Sequence, residues 1–140
     1  MIRLGWVYGV AVVVAGCGTA SSPPPGTGAA TAAERYFSAL VGRDWATAYG
    51  CLDESAKAKW PDDQFRSRAT AFRSDWGYEP EAVQVRSCDE HGDEAVAHVV
   101  LSGKGKNDHT QWKDAVALRR GPAGWHVVPP ANFGKPRARR

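Results

Sequence analysis

The chain has 140 residues, 43% of them hydrophobic and 24% charged. That length and balance suit one folded domain with a real core and exclude a wholly disordered chain. Four of the 18 Lys and Arg residues, Lys135, Arg137, Arg139 and Arg140, crowd the end of the chain, so the basic pI belongs to a tail and gives no nucleic-acid face to the domain.

Arg3 is the only charge before Cys17. Leu4 to Val14 is a largely apolar run, too short to span a bilayer comfortably and the right length for a signal-peptide core. Small residues then lead into a cysteine: Val14-Ala15-Gly16-Cys17. This resembles the lipobox of bacterial lipoproteins. The resemblance implies cleavage before Cys17, a diacylglyceryl group on its thiol, and an exported protein anchored to the bacterial cell membrane or the outer membrane. Residues 1–16 are then a discarded signal peptide. An ordinary secretory signal with a chance cysteine, or an uncleaved apolar anchor, is the alternative. Residues 17–28 run on as a Pro/Gly/Ser tether without apolar periodicity, stiffened by three prolines and loosened by glycine and serine.

Residues 29–130 read as the folded domain. Thr31-Ala32-Ala33-Glu34 has the pattern of a capping box, which places the start of a helix at Thr31. Ala33, Phe37, Leu40 and Val41 recur at helical spacing, Tyr36 widens the stripe, and Gly42 is a natural end. Asp44 caps a second helix whose Trp45, Ala48, Tyr49 and Leu52 share a face. A helical turn over Ser55 to Trp60 follows. Pro61 opens a further helix, with Asp62 and Asp63 in its positive first turn. Phe65, Ala69, Phe72 and Trp76 form its apolar stripe, and Gly77 ends it.

At Pro80 the apolar period changes from helical to alternating. A short strand is predicted over Ala82 to Arg86, then a polar turn from Asp89 to Asp93. Glu94 to Ser102 is the clearest strand: Ala95, Ala97, Val99 and Leu101 take one side, Val96, His98, Val100 and Ser102 the other. A polar loop over Gly103 to His109 leads to a strand from Gln111 to Arg119, with Trp112, Asp114, Val116 and Leu118 on one face. Gly121 to Gly124 is a turn, Trp125 to Val128 the last strand, and Pro129-Pro130 ends the sheet. Helices first and a hairpin-joined sheet after give an α+β fold: N-terminal helices packed on a curved four-stranded antiparallel sheet. Residues 131–140 read as a basic tail, expected to be disordered.

With Cys17 taken by lipid, Cys51 and Cys88 remain as an even pair in an oxidising compartment. A bridge would close a loop of about 37 residues, worth about 3–4 kcal/mol by chain entropy if unstrained. Two buried free thiols are the alternative.

The order of elements, the segment Asp44-Trp45 followed by Ala48-Tyr49, and the ending Gly124-Trp125-His126-Val127 together resemble the nuclear transport factor 2-like superfamily, and within it small bacterial lipoproteins of uncharacterised function. The resemblance implies a cone whose open end can hold a small ligand, and dimers formed through the outer sheet face. It also implies relatives that are isomerases or dehydratases using an Asp or His in the pocket. Fold likeness alone transfers no activity.

Asp114 is the sharpest chemical candidate, a carboxylate on an apolar strand face that burial could turn into a general base. The competing reading is an ion pair at a wet rim. Tyr36, Tyr49, Trp112 and Trp125 are candidates to line a pocket, against the alternative that they are core. His98 has no partner at metal-ligand spacing. His91, in the string Asp89 to Glu94, sits among carboxylates that match no calcium loop. No nucleophile triad, phosphate-cradling loop or nucleotide fingerprint is present. The sequence therefore points to a lipid-anchored envelope protein with a non-enzymatic domain that needs no metal or cofactor and binds a small molecule or an envelope protein. A small-molecule isomerase or dehydratase using Asp114 is the alternative.

Overall fold

The structure is a computed structural model, described over residues 26–105 and 110–135. The signal segment, Cys17, His109 and residues 136–140 lie outside the described residues. Four helices, α1 (Ala29–Val41), α2 (Trp45–Gly50), α3 (Glu54–Lys59) and α4 (Asp62–Ser74), precede four strands. These are β1 (Glu79–His91), β2 (Glu94–Lys104), β3 (Thr110–Gly121) and β4 (Gly124–Val128), in the antiparallel order β1-β2-β3-β4. The α+β meander is the architecture the residue pattern predicts.

The sheet is wrapped round α1, which touches all four strands. Its inner face follows the expected alternation: Ala95, Ala97, Val99 and Leu101 on β2 and Val116 and Leu118 on β3 are all buried. They meet Ala33, Tyr36, Phe37 and Leu40 of α1 and Phe65 and Ala69 of α4 in one core. The link between α2 and α3 closes the fourth side. Val127 N–H donates to Cys51 O (2.7 Å) and Asp53 N–H donates to Val127 O (3.0 Å), a parallel bridge of Leu52 to β4.

Several boundaries differ from the sequence reading. Helix α1 begins two residues before Thr31, after Gly28 in a left-handed conformation (φ 115°), with no side-chain cap of its own. A distant carboxylate does that work: Glu90 of β1 accepts from Thr27 N–H (2.9 and 3.0 Å) and from Ala29 N–H (3.3 Å). Gly42 stays right-handed, and Arg43 takes the left-handed position (φ 56°). Asp44 caps α2 as expected, accepting from Thr47 N–H and Oγ1–H. Strand β1 is much longer than Ala82 to Arg86 and absorbs most of the predicted polar turn, with irregularities at Pro80/Ala82 and Val85/Ser87.

The tail also differs. Phe133 is 3% exposed and belongs to the core. The packed chain therefore continues past residue 130, and Ala131 to Gly134 form turns. The isolated phenylalanine finds an aromatic environment that no local periodicity announces.

One polar clasp holds the far end of α1. Arg73, 8% exposed on α4, donates to Leu40 O (3.2 Å), Val41 O (3.0 Å) and the Glu79 carboxylate at the start of β1. Arg43 reaches the same carboxylate (3.0 Å). The hydrogen bond from Arg73, more than the charges of Arg73 and Arg43, lowers the Glu79 pKa from 4.5 to about 2. A depressed carboxylate stabilises the fold fully above its unfolded value and loses that contribution as pH falls through its folded one. The clasp is therefore expected to weaken between pH 4.5 and about 2. Urea midpoints of the wild type and Glu79→Gln, followed over that window, should converge toward its acid end. A gap that stays constant would assign the acid loss to other carboxylates.

Candidate functional site

The inner face of the sheet would have to carry any chemistry of the cone. Asp114 lies there, half-buried, paired in register with Val99, and its Oδ1 accepts from Ala115 N–H (2.8 Å). The charge of Asp114 reaches Tyr36 of α1. The Tyr36 hydroxyl is buried and has no hydrogen-bond partner. Burial first, then the charges of Asp114 and Cys51, push its pKa far above the usual tyrosine range. It stays a neutral hydroxyl at every ordinary pH.

The four aromatic candidates do not converge on one cavity. Tyr36 packs edge-on against Phe37 at 5.4 Å. Tyr49 lies 5.6 Å from Phe65 with its hydroxyl toward Lys57 O. Trp112 meets Phe72 edge-on at 6.4 Å. Trp125 sits elsewhere: its indole N–H donates to Thr27 Oγ1 (2.8 Å) under the Arg120 guanidinium, fastening the entry of the chain to the β3–β4 hairpin. A continuous aromatic cluster of Trp60, Phe65, Phe72 and Phe133 joins the end of α3, α4 and the segment after β4, with ring centres 4.9–5.9 Å apart. Trp60, Phe65 and Phe133 of this cluster are buried in the core.

Open concavities lie on the other side of the sheet. One of about 520 Å³ is lined by Asp89, His91, Val96, His98, Arg119 and Val128. A second of about 530 Å³ adjoins it at His98, with Arg86, Val100 and Lys113. The register explains this surface. Asp89, Val96, Ala117 and Val128 form one row across the four strands, and Ser87, His98 and Ala115 the next. Val96, at 41% exposure, is the large apolar side chain left most open. Apolar Val96, Val100 and Val128 thus share the outer face with charged Arg86, Asp89, Lys113 and Arg119. Among the described residues no group of three His, Cys, Asp or Glu side chains could hold a metal ion.

Cys51 and Cys88 are free thiols in this structure, which does not show the expected disulfide. Cys51 follows α2 and is hydrogen-bonded through its carbonyl to β4, whereas Cys88 lies on β1 at the opposite edge of the sheet. Burial pushes both thiols above the ordinary cysteine value, and for Cys88 the charges of Glu90 and Asp89 add to it. Raised thiols are poor nucleophiles.

No family model matches the chain. No curated protein is similar to it either. Among solved structures it is similar to a Campylobacter jejuni protein described as an NTF2-like transpeptidase, at 15% identity and a TM-score of 0.56, over 70% of this chain and 94% of that one. A SEC-C motif containing protein from Rhodopseudomonas palustris matches at 12% identity and a TM-score of 0.49, over 66% of this chain and 69% of that one. The first likeness shows the fold: this is a nuclear transport factor 2-like cone.

Proposed function

We propose that the protein is a lipid-anchored lipoprotein of the bacterial envelope whose cone domain is a binding module rather than an enzyme. Its partner is an envelope protein, or a second copy of the chain, taken on the outer sheet face around Val96 and His98. The observation that carries this reading is the division of the cone. Four aromatic rings pack on one another beside α4, while open concavities lie on the outer sheet face. The Val14 to Cys17 segment supports export and anchoring. A small molecule remains a possible ligand class of the same module, and the membrane is engaged through the lipid on Cys17.

Two measurements test this. Cys17→Ala is expected to accumulate as an unlipidated precursor that still carries residues 1–16, seen as a higher intact mass and loss of labelling by fatty acid. Processing and membrane recovery like the wild type would overturn the anchor. A photo-crosslinking residue in place of His98 should yield a discrete adduct in intact cells, whereas one in place of Thr70, on the exposed side of α4, should not. Equal labelling at both positions would remove the outer face as the binding surface.

The second reading, an isomerase or dehydratase with Asp114 as general base, is favoured by one observation. Asp114 lies close enough to the buried Tyr36 hydroxyl to raise its pKa, so a carboxylate and a neutral hydroxyl share the cone. Turnover abolished by Asp114→Asn with the fold intact would favour it.

A further inference from the structure

The C-terminal segment that follows β4 is not held as the rest of the domain is. Pro129 and Pro130 have no N–H to extend the ladder. The backbone bonds beyond them are local, Phe133 N–H to Pro130 O (2.9 Å) and Lys135 N–H to Asn132 O (3.0 Å). Three contacts fasten the segment to α4 and its surroundings. The Phe133 ring lies 4.9 Å from Phe72, 5.8 Å from Phe65 and 5.9 Å from Trp60, stacked at 15° on Phe65. Arg68 donates from Nη1 to Phe133 O (2.9 Å). Gly134, left-handed at φ 66°, lies flat on the Arg68 backbone, where any Cβ would overlap it.

Arg68 is the unusual member. It is half-buried, its guanidinium lies 4.9 Å over the Trp60 ring, and among the described residues it makes no ion pair. Every other arginine that ties two elements of this domain together does so with a carboxylate: Arg43 and Arg73 with Glu79, Arg119 with Asp53, Arg120 with Asp93. A guanidinium prefers a carboxylate to a neutral carbonyl, since hydrogen bonds between charged groups are about twice as strong. The slot thus presents an aromatic box beside a cation that is satisfied only by a neutral acceptor.

We propose that this slot is a binding site for an aromatic carboxylate, and that Phe133 is its resident occupant, supplying the ring and the acceptor oxygen from the chain itself. The segment from Pro129 to Lys135 is a displaceable plug. A ligand with a phenyl ring and a carboxylate a few bonds away takes over both contacts and gives Arg68 the charged partner it lacks. This site goes beyond the reading of the outer face and does not depend on it.

The probe is 3-phenylpropionate, with 3-phenylpropanol as its neutral counterpart. Gly134→Val removes the fit of the plug against the Arg68 backbone and leaves the Arg68 guanidinium and the rings of the slot unsubstituted. A plug that holds the site shut lowers apparent affinity by the fraction of time it is open, so the full-length Gly134→Val protein is expected to bind 3-phenylpropionate at least about tenfold more tightly than the wild type. Arg68→Gln in the same background should lose that gain, and the alcohol should bind as weakly as the acid binds that double variant. No gain in Gly134→Val, or a gain indifferent to Arg68, overturns the proposal. Hydrogen exchange on the wild type guards against a variant that fails to fold. The Phe133 and Lys135 amides should open well before those of Val99 and Leu101, and faster still with 3-phenylpropionate present. If they exchange only together with the β2 amides, the segment never leaves the slot and the proposal fails.

Discussion

Arg73→Ala is expected to destabilise the domain by about 2–4 kcal/mol, with little change in the slope of the urea transition. The guanidinium is the one charged group buried between the end of α1 and the start of β1 that serves both. It donates to Leu40 O and Val41 O, two carbonyls in the last turn of α1, of which Leu40 O also accepts from Arg43 N–H (3.3 Å). It also grips Glu79 and lies 5.6 Å over the Trp76 ring. Alanine takes the side-chain donor from Val41 O, leaves Leu40 O with only backbone N–H, and opens space beside Trp76. Arg73→Lys should recover little, because one ammonium cannot span both carbonyls and the carboxylate as a planar fork does. Glu79→Gln should cost less than either, since Glu79 is 65% exposed and water replaces its lost partner. Equal losses for Arg73→Ala and Glu79→Gln would place the energy in the ion pair and not in the helix end.

Most of the architecture is legible in the residues because it rests on periodicity. The stripe Phe65, Ala69, Phe72 and Trp76 gives α4, and the alternation from Ala95 to Leu101 gives β2 with its buried face correctly assigned. The misses have one physical cause: a long-range contact overrides a local signal. The Thr31 capping pattern is real as a pattern, yet Glu90 reaches over from β1 and starts the helix earlier. Pro80, Asp89 and Glu90 are poor strand residues, and pairing with β2 extends β1 through them all the same. Phe133 stands alone among Gly, Pro and Lys, so no window of the sequence weights it, although it fills the aromatic cluster.

The site was less legible. Alternation places Asp114 on the inner face, but nothing local says that its charge would reach Tyr36 or that a ring cluster would join the end of α3, α4 and the segment after β4. Counting cysteines finds an even pair and cannot measure the width of the sheet between them. Arg68 is invisible in the same way. It is one of several arginines on a polar helix, and only the seating of the chain end against it gives it a distinct environment.

Phe65→Ala is expected to have the largest effect of any single change in the domain, about 3–5 kcal/mol. Phe65 is fully buried, one turn into α4, and it is the ring on which the two halves of the core meet. Tyr49 of α2 lies 5.6 Å from it on one side and Phe133 5.8 Å on the other. Truncation removes the six ring carbons from a buried site and leaves a void that the surrounding core closes only in part, so the transfer and cavity costs add. The helix itself is not harmed, because alanine is the better helix former, and any loss is therefore tertiary. Phe72→Ala, at a half-buried position of the same cluster, should cost clearly less. Phe65→Leu should keep most of the stability, since it refills the space without the ring. At about 4 °C or more per kcal/mol for a domain of this size, Phe65→Ala should lower Tm by at least about 12 °C, measurable by circular dichroism. A fall smaller than that of Phe72→Ala would mean that the aromatic cluster is centred on the chain end instead of on α4.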